Sequence, residues 1–137
     1  MRLPDWLDST NSYLETCRTK QFVWGEHDCC LFAAEVAKRI TGIDYAQDFR
    51  GHYSTEKGAL RAIRKYGAGN LPDTVNKYLG EPVPPLLLRR GDAALMKVDG
   101  LIGYAIGVCW VGGLVYVGQN GLVSMPLNYA ICGWRVG

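Results

Sequence analysis

Cys29, with His27 and Asp28 just before it, is the residue of this chain best suited to covalent chemistry. Asp28 is a good helix N-cap, because its carboxylate can accept from the free backbone N–H groups of a first turn. Cys29 is then the first helical residue, its sulfur near the positive end of the helix dipole. A thiolate is stabilised at that place and a thiol becomes nucleophilic. The competing role for Cys29 is packing, since cysteine often serves as a small apolar filler. His27 stands just before the cap. It is a candidate base if the turn folds back on the sulfur, and otherwise a residue that hydrogen-bonds backbone and locks the helix entry.

These residues need a helix to hold them, and the stretch Phe22 to Thr41 supplies it. Cys29, Phe32, Ala33, Val36, Ala37 and Ile40 recur at helical spacing, which makes one apolar stripe. Glu35, Lys38 and Arg39 fall on the opposite face, where Glu35 can pair with either base. Gly42 is the expected C-terminal cap. Trp24-Gly25 precedes the turn, with Gly25 placed to relax the backbone and let the chain fold over the helix start. A first helix is expected over Leu3 to Arg18, with Pro4 in its first turn and Trp6, Leu7, Leu14 and Cys17 as its buried side. Asp44 to Tyr53 reads as a loop that covers the core and carries His52 as a surface or packing histidine. Ser54 is placed to cap a third helix through Ala59, Leu60, Ile63 and Tyr66. A fourth helix has Pro72 in its first turn and ends at Gly80.

From Leu86 onward the pattern changes to strands. The expected ones are Ala93–Val98, Leu101–Val111, Leu114–Val117, Leu122–Met125 and Cys132–Val136. Asp99-Gly100 and Gly112-Gly113 are expected to be tight turns between them. The fold class is therefore α+β, with N-terminal helices packed on a C-terminal antiparallel curled sheet. The whole of 1–137 reads as a single domain, with a helical half over about 1–80 and a strand half over about 86–137.

At 137 residues and 48% hydrophobic content the chain can bury a core without metal or disulfide staples. Its net charge of +2 is too small to point to nucleic acid. No run is apolar enough to span a membrane, and no signal peptide is expected. Synthesis and folding in a cytoplasm are expected, with the five cysteines as free thiols. Cys17, Cys29, Cys30, Cys109, Cys132 and His27 are the metal-binding residue types to weigh. There is no C-x-x-C pair, and adjacent helical cysteines point about 100° apart, so no metal and no cofactor is expected.

Trp24-Gly25, Asp28-Cys29 at a helix start and Gly91-Asp92 opening the strand half resemble the NlpC-type cell-wall peptidase superfamily, whose fold is papain-like. The pattern W-G-x-H-D-C-C, Gly91-Asp92 and the terminal Gly133-Trp134-Arg135-Val136 is similar to a family of small phage and prophage proteins encoded near tail genes. In the peptidases a histidine on the strand after G-D is the general base. The corresponding segment here, Ala105 to Cys109, has Ala105 at that position, and Val117 stands where the residue orienting the histidine is expected. The resemblance thus implies a structural part of a phage tail tip or baseplate on a degenerate peptidase scaffold. Its partners would be other tail proteins, and its place the virion tail, or the host cytoplasm during assembly. The alternatives are a working cysteine peptidase or amidase on peptidoglycan peptides, with Cys29 as nucleophile and His27 as base, and a tail assembly factor.

Overall fold

Helices come first and strands second in the computed structural model, which describes residues 1–137. The helices are α1 (Trp6–Cys17), α2 (Cys29–Thr41), α3 (Glu56–Tyr66) and α4 (Leu71–Leu79). A 3-10 turn, Pro85–Leu87, leads to β1 (Ala93–Lys97), β2 (Tyr104–Trp110), β3 (Gly113–Gly118), β4 (Gly121–Met125) and, after a second 3-10 turn at Leu127–Tyr129, β5 (Ala130–Trp134). The strands form one antiparallel sheet in the order β4-β3-β2-β1-β5, which does not close on itself. The protein is α+β.

Helix α2 is the central element. Phe32, Val36 and Ile40 on its apolar stripe are fully buried, each stabilising the fold by roughly 1.5–3 kcal/mol. They meet Ala93 and Leu95 of β1 and Ile106 and Val108 of β2 in the main core. Alternate residues of the same strands, Ala94, Met96 and Ala105, face the other side, in a cluster with Leu114 and Leu88. A sheet residue changes face at every step along the strand. Gly107 therefore leaves room for Met96 and Tyr116 on that second face rather than for α2.

Several boundaries differ from those expected. Helix α1 begins at Trp6, not Leu3, and its buried side is Thr10, Leu14 and Cys17, with Leu7 exposed. The cap of α3 is Thr55 rather than Ser54, its hydroxyl accepting from the Gly58 N–H at 3.0 Å. Asp99-Gly100 is not a two-residue hairpin turn. The β1–β2 register stops at Lys97 opposite Tyr104, leaving Val98 to Gly103 as a loop. The Leu101 N–H in that loop donates to the Glu56 carboxylate of α3 at 3.2 Å, and this long-range anchor replaces the local turn. Between β2 and β3 the turn residues are Val111 and Gly112, at φ 44° and 80°, because Gly113 already pairs with Trp110. Positive φ at both central positions is the geometry that follows the twist of a hairpin.

Gly91-Asp92 opens the strand half with a clamp. Gly91 takes φ 93°, and a β-carbon there would run into Ile40. Asp92 is fully buried. Its carboxylate accepts from the Arg89 N–H at 2.7 Å, the Val136 N–H at 2.9 Å and the Arg2 guanidinium at 3.0 Å. Removing one partner from a buried charged network strands the others. Asp92→Ala is therefore expected to lower the unfolding free energy by about 3–5 kcal/mol, read as a shift of the urea midpoint at unchanged slope.

Candidate functional site

The turn before α2 is a short loop closed on itself. Val23 and His27 exchange backbone hydrogen bonds, at 3.0 and 2.8 Å. Gly25 sits at φ 81° inside it, and a β-carbon there would collide with the Tyr53 carbonyl. Asp28 is fully buried and gathers three donors: the Gly25 N–H at 3.0 Å, the Leu31 N–H at 2.9 Å and the Tyr53 hydroxyl at 2.6 Å. The bond to Leu31 is the N-cap. The other two pull the turn and the 44–53 loop onto the helix start.

Cys29 is buried at that start, and its sulfur lies 3.8 Å from the sulfur of Cys30. Adjacent side chains diverge on a helix, yet at this first turn the two sulfurs meet. The Cys30 thiol donates toward the Cys29 sulfur and holds the Cys29 pKa below the ordinary thiol value, with the Ile106 N–H of β2 acting in the same direction. Burial and the neighbouring Asp28 carboxylate oppose them. Cys30 moves the other way: the hydrogen bond it donates and its own burial raise its pKa well above the ordinary value. Cys29 is therefore the first of the two thiols to lose its proton and Cys30 the last. Tyr53 is also held as a neutral phenol far above its usual range, by burial first and then by the Asp28 charge.

The chain matches the family described as Domain of unknown function (DUF6950) over residues 1–136. It belongs to that family. A search of curated proteins returns no match.

In this DUF6950 domain Cys29, Asp28 and Gly25 come together as one constellation, and Trp24 packs edge-on against Phe22 beside it. His27 does not join them. Its ring is buried edge-on against Phe32, with centroids 6.2 Å apart, and its Nε2 has no partner. Its Nε2 makes no hydrogen bond to the Cys29 sulfur. His52, on the exposed loop, contacts the Tyr66 hydroxyl at 2.7 Å through Nδ1. Gly91 and Asp92 build the terminal clamp and lie outside the thiol site. Cys109 and Cys132 stand on the strands and Cys17 in the α1 core. No three of the Cys, His, Asp and Glu side chains converge to hold a metal ion. Sequence reasoning missed Tyr53 as a site residue, since its bond to Asp28 spans 25 positions with no local signal.

Two expectations follow for titration. Cys30→Ala removes the leading cause of the lowered Cys29 pKa and leaves burial unopposed by it. The pH midpoint of Cys29 alkylation, followed by peptide mass spectrometry, should then move upward from its wild-type value. His27 works on stability. Burial, then Lys20, holds its folded-state pKa below the ordinary value. Above about pH 6.5 the ring is neutral in both states, while below it the unfolded chain takes up the proton first. The melting temperature should therefore fall as the pH drops from about 7 to about 5.5, and fall less in His27→Leu.

Proposed function

We propose that this chain is a structural component of a phage tail tip or baseplate, built on a papain-like, NlpC-type scaffold without its catalytic base. The observation that carries the reading is the packing of the start of α2, at Cys29, against β2. It brings the strand that bears the histidine in the resembling peptidases to the start of α2. Ala105 stands at that position, in one buried cluster with Cys29. A thiolate so placed can attack a carbonyl, but acyl transfer also needs a group that hands a proton to the leaving amine and then activates water. Neither histidine bonds the sulfur: the His27 ring lies against Phe32 with its Nε2 unpartnered, and His52 Nδ1 bonds the Tyr66 hydroxyl.

A docking surface supports the same reading. Leu86 is 89% exposed, and Leu87, Tyr129 and Ile131 are more than half exposed. They lie on the two 3-10 turns and β5, which pack against one another. Apolar side chains gathered at one sheet edge suit burial against another tail protein. Of the strand-half aromatics Trp110, Tyr116 and Tyr129, only Tyr129 is exposed. Trp110 is covered by Trp6 and the Arg90 guanidinium, and Tyr116 packs half-buried on the second face of the sheet.

The lowered Cys29 pKa favours a second reading, a cysteine peptidase or amidase on peptidoglycan peptides in which Cys30 stores the proton. Two measurements separate the readings. Purified particles analysed by mass spectrometry should contain the chain, and Leu86→Glu with Ile131→Glu should lower its incorporation at least tenfold, about 1.4 kcal/mol or more of lost docking. Peptidoglycan digests should be the same with wild type and Cys29→Ala. Turnover that vanishes in Cys29→Ala would establish the enzyme instead. Absence from particles whose assembly requires the chain would mark an assembly factor.

A further inference from the structure

Where α2 faces α3 and α4, the main core leaves a gap. Cys30, Ala33, Ala34 and Ala37 lie along it, and across from them stand Ile63 of α3 and Val75 of α4. The space between is a cavity of about 110 Å³, floored by Ile106. Helix α1 and the sheet pack closely on α2, and Ile63 of α3 and Leu71 of α4 join the same core around this gap. Ala33, Ala34, Val75 and Tyr78 are only half-buried, so the space opens to the surface.

The lining decides what can enter. Nineteen of its 21 residues are hydrophobic. Four of the polar side chains at its margin are engaged within the protein. Asp28 and Tyr53 bond each other, the Thr74 hydroxyl donates to the Asn70 carbonyl and accepts from the Ala68 N–H, and the Tyr78 hydroxyl donates to the Tyr66 carbonyl. A buried water needs two to four free polar partners, and these walls offer few. An apolar cavity of about 150 Å³ in another protein stays dry and admits benzene, so the space here is of the right order for one ring. Leaving such a cavity empty destabilises a fold, which argues against a mere packing defect.

We infer that the space between α2 and the α3–α4 pair is a binding site for an uncharged hydrocarbon group, the size of a benzene ring or a short alkyl chain. The group is either a free small hydrocarbon or the end of a longer alkyl chain. The site reaches Cys30 and Asp28 at its inner margin, so an occupant lies beside the Cys30 side chain. This inference does not depend on the role proposed above.

The test is methyl NMR of the full chain titrated with benzene and, separately, with decan-1-ol. Benzene should give saturable shifts of the Ala34, Val75 and Ile106 methyls and none at Leu114 on the far face of the sheet. Ala34→Leu, shown folded by circular dichroism, should lose the shifts. Val75→Ala, which enlarges the space, should tighten binding, and it decides the matter if Ala34→Leu does not fold. Decan-1-ol competing at the same methyls would identify a chain end, and benzene alone would identify a free ring. Either result supports the site. No saturable shift at these methyls, unchanged shifts in folded Ala34→Leu, or shifts confined to Leu86, Leu87 and Ile131 would overturn it.

Discussion

The buried carboxylate of Asp28 is the interaction on which the rest of the site depends. Three donors from three stretches of chain converge on it: the Gly25 turn, the first turn of α2, and Tyr53 at the end of the loop after α2. A buried charge without such partners is strongly unfavourable, so these donors are requirements rather than ornaments. Gly25 is glycine because the turn must lie against the Tyr53 backbone at a left-handed φ. The position of Cys29 follows from the same convergence, since the capped residue determines where the helix starts and which way its first side chain points.

The thiol pair shows two opposed effects at one sulfur. Burial disfavours a thiolate, and the Asp28 charge adds to that. Hydrogen bonds from the Cys30 thiol and the Ile106 N–H act against both and prevail for Cys29. The same hydrogen bond raises Cys30, because giving up its proton would destroy the bond. Asymmetry in one contact thus makes two adjacent, chemically identical residues behave differently. Sequence alone gives no reason to prefer one cysteine beyond its place at the helix start.

Helix α2 was legible because period, cap and stop agreed: the apolar stripe, Asp28 and Gly42 each pointed to the same segment. The succession of helices and strands was legible for the same reason. What failed depended on distant contacts. Asp99-Gly100 has turn chemistry, but the bond from Leu101 to Glu56 holds the loop open instead. Val111 is β-branched and an unfavourable choice for positive φ, yet the β2–β3 register places it there. Leu7 fits the helical stripe of Thr10 and Leu14 but is exposed in the first turn of α1. Tyr53 and the paired sulfurs could not be read locally, since a phenol 25 positions away and a side-chain rotation set them.

The Asp92 clamp also has a mechanical consequence. Arg2 donates to the carbonyl of Val136 at 3.0 Å as well as to Asp92, so the first and last segments are bound at one point. A tensile load applied through the two segments would pass through this ion-paired knot before it reached the strands. Fraying of either segment removes bonds from the other. The sheet is thus shielded from forces on the backbone ends by a contact that must be ruptured first.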